Sequence, residues 1–143
     1  MSREWTIADE VRLQQGMTSQ VYRQGEVWIA DTSGGIGHEY GSETDPSKQR
    51  PVVILSNNEM SSTQIVAICT TKSKYEFDRK AVKVQLPEKY FKKSNEPNKM
   101  INSYVLVKHI KSYDTSRFKK YIGKVSNTKL KKINRILIKL TER

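Results

Sequence analysis

The residues best suited to chemistry are a cation and a hydroxyl at the ends of two apolar runs. Arg50 opens the run Arg-Pro-Val-Val-Ile-Leu, and Thr70 closes the run Ile-Val-Ala-Ile-Cys-Thr. Short runs rich in β-branched residues predict buried β-strands. A guanidinium group offers a rigid fork of donors that fits phosphate oxygens, and a threonine hydroxyl can add one more donor. Held at the ends of neighbouring strands, these two side chains could grip a phosphate group.

A long polar loop adds a third chemical group, His38. Residues 32–49 contain four glycines and the turn signal Asp45-Pro46, which predicts a loop. Loops of this length in compact domains are usually either functional or disordered. Histidine has an unperturbed pKa of about 6.5 and therefore suits proton transfer at neutral pH.

A sheet covered by a helix is predicted to position these residues. The C-terminal stretch 128–141 has apolar residues on one helical face and lysines on the opposite face, which predicts an amphipathic helix. Its apolar face is expected to cover the sheet, in preference to binding a partner, because an α+β domain needs a helix to cover its sheet. A short helix is predicted near residues 7–15, within an N-terminal extension of residues 1–23. Strands are predicted at 25–31, 50–56, 64–70, 81–86, 102–107 and 121–125, with helical turns at 87–91 and 114–119. The length of 143 residues fits one domain spanning 1–143.

The charge balance points to a polyanionic partner. The chain has 26 Lys and Arg against 15 Asp and Glu, a net charge of +11. Nucleic acid, a membrane surface and an acidic protein all fit that charge. No apolar run is long enough for a membrane span or a signal-peptide core, so a cytoplasmic protein is expected. The single cysteine, Cys69, lies inside an apolar run and is expected to be buried.

Several common chemistries have no motif in this sequence. The two histidines, His38 and His109, lie far apart, and no Cys-x-x-Cys or His-x-x-x-His pattern occurs, so no metal site is predicted. The glycines at 34–37 are followed by a polar loop rather than a helix, which argues against a nucleotide-binding motif. No cofactor is therefore expected. Cleavage of RNA by its own 2′-hydroxyl remains as a candidate reaction. It needs no metal, cofactor or activated serine, because the substrate supplies the nucleophile.

Taken together, Arg50, Thr70 and Gly37-His38-Glu39 give the chain its resemblance to a known family. It resembles the MazF/PemK (Kid) family of toxin endoribonucleases from prokaryotic type II toxin–antitoxin systems. The similarity covers roughly residues 24–141 and includes the C-terminal helix. The matching stretches are residues 25–31, 37–39, 50–55, 65–70 and 105–112.

The resemblance implies a fold and an activity. The fold would be α+β, a small SH3-like antiparallel β-barrel with short helices and a C-terminal helix packed on it, over residues 24–143. The activity would be metal-independent, sequence-specific cleavage of single-stranded RNA, mRNA in particular, leaving a 2′,3′-cyclic phosphate and a 5′-hydroxyl and inhibiting translation. The partners would be a second copy in a homodimer and a cognate antitoxin with an acidic C-terminal segment. The toxin–antitoxin complex would bind operator DNA.

The resemblance also assigns site residues by position. Arg50 and Thr70 match the phosphate-gripping pair, and His38 matches a histidine of the PemK/Kid branch. Where that branch has Arg-Cys-Asp-Gln, residues 106–109 read Leu-Val-Lys-His, so its proposed acid–base Arg and Asp are missing. Contacts to RNA are expected from Gly37, Glu39, Tyr40, Thr71, Lys72, Lys108, His109, Lys111 and Ser112.

These assignments give a hypothesis with two rivals. Arg50 would clamp the phosphate and is the candidate general acid, Thr70 would stabilise the pentavalent phosphate, and His38 or else Glu39 would be the base. The rivals are a non-catalytic nucleic-acid-binding barrel and a topoisomerase-poisoning toxin of related fold. The second rival is not expected to carry Arg50 and Thr70 as a pair.

Overall fold

A computed structural model describes residues 21–32, 49–92, 95–96 and 98–141. Six strands and one α-helix make up most of this part of the chain. The strands are β1 (Glu26–Asp31), β2 (Gln49–Ile54), β3 (Thr63–Thr70), β4 (Ala81–Pro87), β5 (Met100–Asp114) and β6 (Phe118–Lys124), and the helix is α1 (Asn127–Thr141). Single 3-10 turns lie at Ser73–Tyr75, Glu88–Tyr90 and Thr115–Arg117. The predicted helix near residues 7–15 lies outside the described residues.

The strands form one antiparallel sheet in the order β4-β5-β3-β2-β1-β6. The sheet curls into a half-barrel, and α1 follows it at the C-terminal end of the described chain. The prediction of an α+β fold with an antiparallel sheet and a C-terminal helix is therefore confirmed. Among the described strands, β4 and β6 form the two edges.

Each face of the sheet carries its own apolar cluster. We call the first the helix-side cluster, because side chains of α1 pack on it, and the second the aromatic cluster. Alternation along each strand separates the two, since successive side chains of a strand point to opposite faces. The helix-side cluster includes Val27, Val53, Ala67, Cys69, Val82, Val105 and Ile133, and the aromatic cluster includes Tyr22, Trp28, Val52, Ile68, Phe118 and Tyr121.

Helix α1 begins at a serine cap and covers the helix-side cluster. The Ser126 hydroxyl accepts from the backbone N–H of Lys129 at 3.3 Å, as expected for an N-cap residue. Ile133 is fully buried, and Leu130 and Leu137 pack against the cluster, so the predicted core-facing stripe is confirmed at these positions. Leu140 differs, because it is 39% exposed and lines a surface groove.

Strand β5 is longer than the predicted strand 102–107. It continues to Asp114, because Ile110 to Asp114 still pair with β3 beyond a register shift. The run 108–110 is exposed, so apolar alternation does not mark the strand there. The helical turn predicted over 114–119 is shorter than expected: one 3-10 turn forms at Thr115–Arg117, capped by the Asp114 side chain, and β6 then starts at Phe118.

Burial accounts for the behaviour of the single cysteine. Cys69 is fully buried in the helix-side cluster, as predicted. Loss of solvation raises the pKa of its thiol to about 12, so the thiolate form is disfavoured at neutral pH. No helix in the described part of the chain combines the length and apolarity needed to cross a membrane.

Candidate active site

The strand register places Arg50 and Thr70 side by side. Strand β2 pairs with β3 so that Val52 lies opposite Ile68, and continuing this antiparallel register by two residues on each strand sets Arg50 opposite Thr70. Residues directly opposite in an antiparallel pair point to the same face, with Cβ atoms about 5 Å apart. The register therefore puts Arg50 and Thr70 on the same face of the sheet, the face of the aromatic cluster, and near the same end.

The Arg50 side chain offers a buried donor. Its Nε is buried and has no hydrogen-bond partner among the described residues. Leaving a buried donor unpaired costs about 1–3 kcal/mol, more for a charged group. An anion bound beside Arg50 would recover that cost, because the guanidinium Nε and Nη groups form a fork suited to two oxygens of a phosphate.

Thr70 presents a hydroxyl that its own backbone orients. The residue is 6% exposed, and its Oγ1 accepts from the backbone N–H of Lys72 at 3.3 Å. This bond uses the oxygen only as an acceptor, so the hydroxyl hydrogen can still be donated. Thr70 is therefore suited to donate to a phosphate oxygen held by Arg50.

The same row of side chains continues across β5 and β4. Thr70 lies opposite Tyr104, and Tyr104 lies opposite Lys83. The Glu76 carboxylate accepts a hydrogen bond from the Tyr104 hydroxyl and another from Lys83 Nζ at 2.9 Å. Tyr104, Glu76 and Lys83, which we call the acidic cluster, therefore adjoin Thr70 on the side away from Arg50. None of the three was singled out from the sequence.

The electrostatics of the acidic cluster keep its carboxylate charged. Hydrogen bonds from Tyr104 and then from Lys83 lower the pKa of Glu76 below its ordinary value. The same carboxylate raises the pKa of Tyr104 and of Lys83, because it stabilises their protonated forms. At neutral pH the cluster thus presents a fixed carboxylate whose partners keep their protons.

Replacing Tyr104 with phenylalanine is expected to raise the pKa of Glu76 towards its ordinary value. A carboxyl whose folded-state pKa is depressed contributes stability above its unfolded-state pKa and loses it as the pH falls through the folded-state pKa. In the Tyr104→Phe variant, Glu76 should therefore contribute less to the stability above its unfolded-state pKa, and less stability should be lost as the pH falls. A carboxyl-carbon NMR titration of Glu76 measures the shift, with Tyr75→Phe as the matched control. An unchanged Glu76 titration in Tyr104→Phe would show that the phenol does not set this pKa.

The other predicted contact residues are spread along the sheet. Thr71 and Lys72 follow Thr70 directly, and Lys108 forms a salt bridge of 3.2 Å with Asp78. The remaining residues lie further along β5. His109 is exposed there, and Lys111 and Ser112 lie opposite Val66 and Ile65, which places them about 13 to 17 Å along β3 from Thr70. Gly37, His38, Glu39 and Tyr40 lie outside the described residues.

Known structures share this fold. The chain is similar to a structure titled as an endoribonuclease from a Mycobacterial species, with a TM-score of 0.56, 17% identity and coverage of 86% of this chain and 93% of the other. A Mycobacterial endoribonuclease in complex with its cognate antitoxin gives a TM-score of 0.53, 20% identity and coverage of 86% and 93%. The crystal structure of MazF from Deinococcus radiodurans gives a TM-score of 0.56, 23% identity and coverage of 84% of this chain and 96% of the other.

The family follows from the sequence itself. Residues 23–141 match the family described as PemK-like, MazF-like toxin of type II toxin–antitoxin system. The chain therefore belongs to this toxin family. A search of curated proteins gave no match.

Proposed function

We propose that this protein is a toxin endoribonuclease that cleaves single-stranded RNA, mRNA in particular, at specific sequences. The observation that carries the proposal is the strand register, which puts Arg50 with its buried Nε and Thr70 with its hydroxyl on one face near the same end of the sheet. Membership of the toxin family and the similarity in fold to endoribonucleases support it.

The proposed reaction needs no added nucleophile. The ribose 2′-oxygen attacks the adjacent phosphorus while the bond from phosphorus to the 5′-oxygen breaks, which leaves a 2′,3′-cyclic phosphate and a 5′-hydroxyl. One proton leaves the 2′-hydroxyl and one is delivered to the 5′-oxygen. The protein has to hold the phosphate and stabilise the charge on its oxygens, so the proposed chemistry is metal-independent.

Arg50 and Thr70 are assigned to the phosphate. Both can donate to its non-bridging oxygens, where negative charge builds up in the pentavalent transition state. Charge neutralisation is the first role proposed for the Arg50 guanidinium, and proton donation to the leaving 5′-oxygen is the second. His38 is our candidate for accepting the 2′-hydroxyl proton, with Glu39 as the alternative, both by resemblance to the family.

The acidic cluster is assigned to binding the neighbouring nucleotide. Leu106 is buried and apolar and Lys108 is a cation, so these two positions do not supply the acid–base Arg and Asp that the PemK/Kid branch has there. Glu76, in the loop between β3 and β4, offers carboxylate oxygens held in place by Tyr104, which lies one strand beyond Thr70, and by Lys83. Such oxygens accept from base amino groups or from a ribose hydroxyl, which suits a role in specificity.

The partners complete the proposal. A net charge of +11 favours both RNA and an acidic antitoxin segment. By resemblance to its family, the protein acts in the cytoplasm as a homodimer that a cognate antitoxin neutralises, and the complex with that antitoxin binds operator DNA. A structural neighbour was solved with its cognate antitoxin, which supports the antitoxin as partner.

Incubation with a long single-stranded RNA in EDTA tests the proposal. We expect discrete fragments, and no cleavage of single-stranded DNA of the same sequence, because DNA lacks the 2′-hydroxyl. An Arg50→Ala preparation purified in parallel controls for contaminating ribonuclease. RNA that is bound but stays intact would favour the non-catalytic barrel, and RNA that is neither bound nor cut would favour the topoisomerase-directed toxin.

A further inference from the structure

One aromatic side chain beside the acidic cluster is exposed to solvent. Phe77 is 93% exposed, the largest exposed fraction among the large apolar side chains of the described residues. It follows Glu76 directly in residues 71–80, the connection between β3 and β4, which we call the β3–β4 loop. An exposed phenyl ring gains free energy when another flat or apolar surface covers it. Phe77 is therefore suited to contact a ligand.

The two residues that flank Phe77 are both anchored. Glu76 is held by its hydrogen bonds within the acidic cluster. The Asp78 carboxylate accepts from the backbone N–H of Lys80 at 2.8 Å and forms a salt bridge of 3.2 Å with Lys108 of β5. Single apolar side chains are ordinary on a protein surface, but the backbone that presents Phe77 is fixed on both sides. A ligand that covers the ring therefore has little backbone to order, which favours binding.

Hydrogen bonds also connect the β3–β4 loop to Thr70. The Thr70 hydroxyl accepts from the backbone N–H of Lys72. The Lys72 carbonyl in turn accepts from the N–H of Tyr75 at 3.2 Å, and the Ser73 carbonyl accepts from the N–H of Glu76 at 3.0 Å. The loop is therefore set at a fixed place beside the residue assigned to the phosphate.

The second aromatic residue of the β3–β4 loop is less accessible. Tyr75 is half-buried, and Lys74 Nζ lies 5.2 Å from the centroid of its ring. Phe77 makes no ring contact within the described parts of the chain. Its ring is therefore open to a flat ligand group.

We propose that Phe77 stacks on a base of the bound RNA, next to the nucleotide whose phosphate Arg50 and Thr70 hold. This deepens the proposed function as an endoribonuclease and rests on it. Single-stranded RNA is generally bound by aromatic side chains on which its bases stack. The edge of a stacked base carries N–H groups, which can donate to the Glu76 oxygens beside the ring. Exposed lysines at 72 and 74 add the positive charge that favours a phosphate backbone.

A protein partner fits this ring less well than a base does. The chain neighbours of Phe77 are the carboxylates Glu76 and Asp78, so charged groups interrupt the apolar area around it. A surface that docks a protein generally offers a contiguous apolar patch. One base covers one ring, so an isolated ring between charged residues is matched to a nucleobase.

Fluorescence anisotropy with a labelled short RNA tests the inference. Every 2′-hydroxyl of the probe is replaced by fluorine, so it has no 2′-hydroxyl to act as nucleophile, and it contains all four bases. Phe77→Ala should weaken binding at least about fivefold, the scale of losing the stacking on one base. Phe77→Trp keeps an aromatic ring and should bind at least about half as tightly as wild type.

Met60→Ala is the matched control. It removes another apolar side chain, 74% exposed, from the connection between β2 and β3, and should leave the affinity within about twofold of wild type. An equal loss of affinity in Met60→Ala and Phe77→Ala would overturn the inference, because general loss of exposed apolar area would then explain both.

The salt dependence separates stacking from charge and from damage to the fold. The slope of log Kd against log salt concentration should be the same in Phe77→Ala and wild type, because a phenyl ring releases no counterions from RNA. Urea denaturation should also be unchanged, since the side chain is exposed. A shallower salt slope or a lower stability in Phe77→Ala would overturn the inference.

The RNA-cleavage assay keeps this inference separate from the proposed function. Wild-type affinity for the fluorinated RNA in Phe77→Ala, or no binding by wild type, would overturn the inference even if natural RNA is cleaved. If Phe77→Ala binds as tightly as wild type, the ring is left for a protein partner. If wild type leaves natural RNA intact but binds the fluorinated RNA through Phe77, the proposed function fails and the stacking assignment stands.

Discussion

Replacing Arg50 with alanine is expected to reduce RNA cleavage at least about a thousandfold, the scale seen when an arginine that stabilises transition-state charge is removed. The loss follows from the position of Arg50 beside Thr70, where its fork of donors meets the charge that develops on the phosphate oxygens. Single-turnover cleavage of a labelled RNA measures it. A wild-type rate in Arg50→Ala would contradict the assignment.

Two controls separate charge, geometry and general effects on the surface. Arg50→Lys keeps the positive charge but loses the planar fork, so its rate should lie between those of wild type and Arg50→Ala. Arg23→Ala removes an arginine whose side chain is 53% exposed and should leave the rate unchanged.

The stability of Arg50→Ala should not follow its activity. The wild-type protein keeps the Arg50 Nε buried without a partner among the described residues. Removing an unsatisfied buried donor relieves a cost, so Arg50→Ala should be as stable as wild type or slightly more stable in urea denaturation. A variant that loses activity while keeping its stability would show that Arg50 serves the reaction rather than the fold.

Replacing Thr70 with valine is expected to reduce cleavage about a hundredfold, the lower end of the effect of removing one transition-state donor. Valine keeps the β-branched shape that suits a strand, so packing at this buried position should change little. The change removes the hydroxyl that can donate to the phosphate and also the acceptor for the Lys72 N–H. The same single-turnover assay measures the loss.

A conservative and a distant substitution control the Thr70 result. Thr70→Ser keeps the hydroxyl and should retain most of the activity. Thr63→Val makes the same chemical change at an exposed position at the other end of β3 and should have no effect. If Thr70→Val cleaved RNA as fast as wild type, the hydroxyl would have no role in the reaction.

Neighbouring strands explain why the Arg50–Thr70 pair could be predicted from sequence. β2 and β3 are consecutive strands joined by a short connection, and such strands usually pair antiparallel. The opening residue of one apolar run then meets the closing residue of the next. The apolar runs mark both strands well, because those strands are buried almost throughout beyond Arg50 and Ile65.

The acidic cluster could not be predicted in the same way. Its row depends on β3 pairing with β5 and β5 with β4, and Thr70 and Tyr104 lie far apart in the chain. Glu76 comes from the polar loop between β3 and β4, whose path no periodic pattern reports. Only the pairing of these strands shows that Tyr104 lies next to Thr70, so the sequence gives no separate signal for the cluster.

The chemical form of the ends of the RNA fragments tests the central claim most directly. RNA cut in EDTA should carry a 2′,3′-cyclic phosphate on the upstream fragment and a 5′-hydroxyl on the downstream fragment, as mass spectrometry and labelling by polynucleotide kinase without prior phosphatase treatment would show. These ends follow if the 2′-hydroxyl attacks a phosphate held by Arg50 and Thr70. Fragments with a 5′-phosphate and a 3′-hydroxyl would contradict the account, because they require an external water as the nucleophile.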